Sequence, residues 1–269
     1  MNRLSKQKKI QFWVLTWLLF ILPVVFLFAK SLFMNISSNG SSEMMISLKG
    51  WEALFSEAKL IQATFVSLGI GALVVVLNLI IGLLAGKALA FYSFKGKAVV
   101  DALFLLPLIV PLLAITMGLH VAMIRIGLTD TWLGVVLIHL VPTIPYSIKM
   151  LRSGYASMGT GILQQAQVLG TTRWHRFWSV ELPLLMPSIR STVFLIFVIS
   201  LSQYVITAII GGGNVVTLAM IYFPFLDSAE STVLAAFSAW FALLPVLFYL
   251  SMELLLSLLP YQNPWRTRL

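Results

Sequence analysis

The chain has 269 residues, 59% hydrophobic and only 10% charged, with a mean hydropathy of +0.97, which is far from the composition of a soluble globular domain. A net charge of +9 does not point to nucleic acid, because Lys and Arg sit in the gaps between apolar runs and do not form one basic face. There is no cysteine, which excludes disulfides and thiolate chemistry, and His120, His139 and His175 lack HExxH-type spacing; neither a metal nor another cofactor is expected.

Several uncharged runs are long enough to cross a hydrocarbon core of roughly 30 Å, which takes about 20 helical residues. The expectation is therefore an all-α membrane protein with six transmembrane helices. After MNRLSKQKK, the run Ile10–Ala29 carries no charge. A secretory signal also starts with positive charge, but its apolar core is only about 7–15 residues, so this longer run reads as an uncleaved first span. Residues 34–59 are polar and read as an external loop with an interfacial helix around Trp51–Leu60. The second span lies within Ile61–Gly86, where Gly69, Gly71 and Gly82 allow close helix approach in lipid. Asn78, near its middle, reads as a helix–helix hydrogen-bonding residue or, alternatively, as a translocation-pathway residue.

Lys87, Lys95 and Lys97 mark the next loop, and the third span, about Ala102–Met123, should kink at Pro107 and Pro111. The fourth span, about Trp132–Ile148, holds His139, a buried hydrogen-bonding residue by preference over a proton relay, and ends at Lys149 and Arg152. The fifth span, about Ser191–Ile210, closes on Gly211-Gly212-Gly213, a turn or a hinge. Asp227 and Glu230 belong to an outer loop, the sixth span is about Leu234–Leu259, and YQNPWRTRL is a basic tail. Glu253, within the sixth span, is read as a structural partner for Lys87 or Arg190 in preference to a coupling-ion site. This divides the chain into residues 1–60 (first span and external loop), 61–259 (a five-helix core) and 260–269 (tail).

Of the 18 Lys and Arg, only Lys30, Lys49, Lys59 and Arg125 fall on the side opposite the termini, together with Glu43, Glu52, Glu57, Asp130, Asp227 and Glu230. That bias predicts an N-in, C-in topology for a chain expected in the cell's inner (cytoplasmic) membrane. It also puts the polar stretch 160–187 in the cytoplasm. There, Ile162, Ala166 and Leu169 make a short helical stripe that stops at Gly170, and a second helix begins behind Thr171 and Thr172 and should stop at Leu182-Pro183.

This stretch resembles the EAA loop of permease subunits in type I ATP-binding-cassette importers: Glu-Ala-Ala, three residues, Gly, nine residues, Ile-x-Leu-Pro. Here Gln164-Gln165-Ala166, Gly170 and Val180-Glu181-Leu182-Pro183 keep that spacing, with Gln in place of the opening Glu and of the first Ala. Lys95-Gly96-Lys97 before Leu106-Pro107-Leu108-Ile109-Val110-Pro111, and Leu140–Leu151 with Pro145-Tyr146, are similar to further family stretches, so that roughly Ile61–Leu259 is covered.

The resemblance implies the type I importer permease fold, with Ile162–Leu169 as a coupling helix docked on a separate ATPase. Gly170 would turn the chain, plausibly at positive φ, and Leu182 and Pro183 would lead into the fifth span. Arg173, His175 and Arg176 either meet acidic groups of the ATPase or are ordinary positive-inside charge. The implied partners are two ATPase subunits, a second permease chain (identical or homologous), an extracytoplasmic solute-binding protein and the lipid bilayer, with no nucleic acid. The chain has no G-x-x-x-x-G-K-[ST] loop, so it would not be the enzyme that hydrolyses ATP.

Ser202-Gln203-Tyr204, Ile210–Gly213 and Thr217-Leu218 look most like permeases for polyamines or thiamine, within a branch that includes ferric-iron and sulfate permeases. Gln203 and Tyr204 are then pathway candidates, or helix-packing residues. The rival readings are a motor-independent secondary transporter or channel, which needs intramembrane ionisable residues, and an intramembrane enzyme, for which Ser200, Ser202 and His139 supply no accompanying motif.

Overall fold

The structure is a computed structural model that describes residues 6–38, 41–226 and 230–258; the first five residues, Asn39, Asp227 and the basic tail lie outside the described residues. Among these, five helices are long and apolar enough to span a membrane, and six if one bent pair counts as a single span. They fall into two compact units, residues 1–61 with 221–244 and residues 62–220 with 245–269.

In the first unit, α1 (Lys6–Leu32) is followed by a hairpin of β1 (Phe33–Ser38) and β2 (Ser41–Ile46) and by α2 (Lys49–Ser56). The hairpin occupies part of the stretch read as a polar loop, and α2 is the short helix expected near Trp51. Ser31 is buried: its hydroxyl donates to the Phe28 carbonyl at 2.7 Å and accepts from Trp51 Nε1 at 3.3 Å, fixing α2 against the end of α1. Phe55 meets Trp240 of the last described helix (Ser231–Leu258) edge-on, with ring centroids 5.6 Å apart.

The second unit holds α3 (Leu60–Phe91), α4 (Lys97–Ile109), α5 (Leu112–Arg125), α6 (Trp132–Met158), α7 (Gly161–Val168), α8 (Arg173–Arg176), α9 (Leu182–Leu201) and α10 (Tyr204–Gly211). Its core is the packing of α3, α6 and α9. A Cβ at Gly82 would lie 2.7 Å from Leu151 and one at Gly71 would lie 2.7 Å from Phe197, so α3 approaches α6 and α9 more closely than any side chain there would allow. Gly69 has ordinary contact with Trp132.

Three spans depart from the expected outlines. The third is no mild kink: α4 and α5 meet at 101° across Val110-Pro111. Val110 is extended (φ −77°, ψ 137°), the conformation imposed on a residue preceding proline. The fifth is interrupted, since α9 ends at Leu201 and Gln203 is non-helical (φ −76°, ψ 82°) before α10 resumes. The fourth and fifth also begin or end further out than expected, α6 reaching Met158 and the fifth-span helix running unbroken from Arg173. Gly212 and Gly213 have φ of 52° and 83°, which makes the triplet a left-handed turn.

Candidate functional site

The connection between α6 and α9 begins with α7, whose residues Ile162, Gln164, Gln165 and Val168 are exposed, as is Leu169 at its C-terminal end, while Ala166 is buried. Val168 and Leu169 are 87% and 83% exposed, a bare apolar tip on a polar loop. The corner behind it is tightly bonded. Gly170 takes φ +79°, a conformation L-residues rarely adopt, and its N–H donates to the Gln167 carbonyl at 3.0 Å. Thr171 donates to the Ala166 carbonyl twice, from its N–H at 3.2 Å and its hydroxyl at 2.7 Å. Thr172 caps the next helix, its Oγ1 accepting from the His175 N–H at 3.2 Å.

The expected stop at Leu182-Pro183 does not occur. From α8 the chain enters a π-helical turn, Phe177–Glu181, closed by the Leu182 N–H on the Phe177 carbonyl, and continues directly into α9. The reason is positional. Proline lacks the N–H that an uninterrupted α-ladder would need, but after the π-turn Pro183 falls in the first turn of a new helical register, where no such N–H is required. The second half of the loop, from Arg173, and the fifth-span helix are thus one continuous rod.

Sequence reasoning passed over Glu181. Its carboxylate is 1% exposed and accepts from Lys87 Nζ at 2.8 and 2.6 Å, while Arg176 Nε lies 3.5 Å away, an ionic contact beyond hydrogen-bonding geometry. Lys87, read as a loop residue, belongs to the last turns of α3. Glu253, for which Lys87 and Arg190 were both candidate partners, pairs with Arg190 through two contacts of 2.9 and 2.5 Å. The signal that could have exposed Glu181 was its acidity: it lies in a stretch that otherwise carries only cations, Arg173, Arg176 and Arg190.

The pathway candidates lie elsewhere in the same unit, and one chain of hydrogen bonds runs from Asn78 to the Gln203 carbonyl. Asn78 Nδ2 donates to Thr143 Oγ1 at 2.8 Å, and Thr143 donates to the His139 carbonyl at 2.7 Å. The His139 ring contacts Thr207 Oγ1 through Nε2 and Ser200 Oγ through Nδ1, each at 2.9 Å. Thr207 also donates to the Gln203 carbonyl. Since its single proton is used there, Thr207 accepts from His139 Nε2–H. His139 is therefore a pin holding α9 and α10 on either side of their break. Asn78, Thr143, His139 and Thr207 are buried, whereas Gln203 and Tyr204 are half-buried at the break itself.

The sequence profile of the family described as "Binding-protein-dependent transport system inner membrane component" matches residues 78–259. Among curated proteins, the sulfate transport system permease protein of Escherichia coli K12 is 27% identical over 82% of this chain and 86% of its own length. The spermidine/putrescine transport system permease protein of Haemophilus influenzae is 27% identical over 71% of this chain and 74% of its own. Among solved structures, a chain of a bacterial ABC transporter involved in the import of the acidic polysaccharide alginate matches with a TM-score of 0.64. It is 15% identical, over 94% of this chain and 99% of that one.

Proposed function

This chain belongs to the family of binding-protein-dependent transport system inner membrane components, as a permease subunit of an ATP-binding-cassette importer, and from that premise we propose how it is driven and what it carries. The loop 160–183 docks on a separate ATPase, with Ile162, Gln164, Gln165, Leu169 and Arg173 facing it and Ala166, Gly170, Leu182 and Pro183 shaping the rod behind. The observation that carries this reading is the exposed apolar tip at Val168 and Leu169. Apolar side chains held bare on a stiff helix suit a groove in a partner protein.

Two ATPase subunits, a second permease chain and an extracytoplasmic binding protein complete the transporter, in the inner membrane with both termini inside. The unbroken rod from Arg173 to Leu201 would carry motor closure into the fifth span and so alternate access between the permease chains. Gln203 and Tyr204, at the break beyond that rod, are placed on the pathway, with Asn78 one layer behind at the far end of the hydrogen-bond chain.

The cargo is a small polar solute, of polyamine or thiamine type by the segment 202–218, with its selection made by the binding protein. A second reading, an inorganic oxyanion, is favoured by the extent of the match to the sulfate permease. Thermal-shift screening of the extracytoplasmic binding protein that partners this permease, with spermidine, thiamine and sulfate, separates them. Stabilisation by spermidine or thiamine alone supports the first reading, and stabilisation by sulfate alone overturns it.

A further inference from the structure

We propose that Glu181 is a positioning residue that clamps the inner end of α3 to the loop rod, so that a push on the loop moves two spans together and not the fifth alone. The inference rests on the coupling role proposed above for residues 160–183.

Three observations carry it. Glu181 is 1% exposed and sits between two cations from different elements, Lys87 on α3 and Arg176 on α8. A carboxylate so placed cannot leave Lys87 without remaining buried and poorly compensated, so the joint resists opening. The π-turn supplies the geometry: inserting one residue into a helix turns everything beyond it by about 100°, and Glu181 is its final residue. Such turns are rare in helices and occur frequently at functional sites. Lys87 is held from behind as well, with Nζ 5.9 Å from the centre of the Tyr155 ring of α6, which itself packs edge-on against Phe91 of α3. The loop is covalently continuous with α9, whereas this ion pair is a side-chain link from its base to α3.

The chain has no native cysteine, so spin labels can be placed at Tyr92→Cys, just beyond α3, and Gln167→Cys, on α7, both exposed. Their separation is measured by pulsed electron resonance in the purified permease and in its complex with the co-purifying ATPase, with and without ATP and vanadate. With Glu181 intact, one narrow distance distribution is expected, unchanged by nucleotide. Glu181→Gln should at least double its width and let the distance shift on trapping. Lys87→Gln/Glu181→Gln, which leaves no buried carboxylate or lysine unpaired, should do the same. Equal widths in all three, or a distance that shifts with nucleotide even when Glu181 is intact, would overturn the clamp. If no ATPase co-purifies, the coupling reading fails, while the widths in the permease alone still decide whether Glu181 fixes α3 to the loop.

Discussion

The hydroxyl of Thr171 donates to the carbonyl of Ala166 across the Gly170 corner at 2.7 Å. That bond, added to the Thr171 N–H on the same oxygen, ends α7 and sets its angle to the rod that follows. The corner depends on Gly170 having φ +79° and a free N–H for Gln167. Gly170→Pro removes the N–H and forces φ to about −65°. The variant should insert in the membrane at the wild-type level, judged by yield and fluorescence-detected size exclusion. ATP hydrolysis by the assembled transporter should fall at least tenfold, or on the order of 1.4 kcal/mol or more in the activation barrier.

Gln164 is exposed on α7, where the EAA pattern has an acid. A neutral amide contributes weaker hydrogen bonds than a carboxylate facing a cation. Gln164→Glu should preserve assembly, and the ATPase should then dissociate more readily as salt rises, because only charged contacts are screened. Pull-downs across a salt series check this; loss of assembly in the variant would show the register of the loop to be misassigned.

His139 and Asn78 should differ in cost. His139→Ala removes two hydrogen bonds, worth about 0.6 kcal/mol each within a membrane bundle, and leaves a cavity beside Ser200 and Thr207, for a total of about 2 kcal/mol. Asn78→Ala should cost less than about 1 kcal/mol. Thr143 keeps its own bond to the His139 carbonyl, and the substitution also removes Asn78 Oδ1, which has no hydrogen-bond partner. Thermal unfolding in detergent should rank the two in that order.

The two carboxylates in ion pairs with the fifth-span rod should rank just as clearly. Glu253 and Arg190 are 38% and 37% exposed, so Glu253→Gln should change stability by no more than about 1 kcal/mol. Glu181 is 1% exposed, and breaking a buried pair costs about 3–5 kcal/mol. Lys87 is itself one-third exposed and recovers some hydration, which places Glu181→Gln at about 3 kcal/mol at most. Unfolding midpoints of the two variants, measured side by side, check the order.

The outline of the loop proposed to couple to an ATPase was legible through local signals. Apolar spacing at Ile162, Ala166 and Leu169, followed by glycine, marks a short helix and its corner without reference to anything distant. Membrane spans were legible for the same reason, since length and absence of charge are local properties. What stayed hidden depended on partners far along the chain. Pro183 reads as a stop because proline ends an ordinary helix; only the π-turn before it lets the rod continue. Glu181 looks like a solvated residue until Lys87, 94 positions earlier, is folded against it. Likewise Pro107 and Pro111 announce a bend in the third span, but not its 101°, which is set by the full break at the extended Val110 between two separate helices.

The apolar tip of the loop is the surface expected to meet an ATPase. Leu169 is 83% exposed, so Leu169→Glu should leave folding nearly unchanged, within about 0.5 kcal/mol, while placing a charge where an apolar groove is expected. The direct measurement is the amount of ATPase recovered with the affinity-tagged permease, wild type against Leu169→Glu, at equal permease yield. The prediction is an ATPase band with the wild type and at least a tenfold loss with the variant. Equal recovery with both, or none with the wild type, would contradict it.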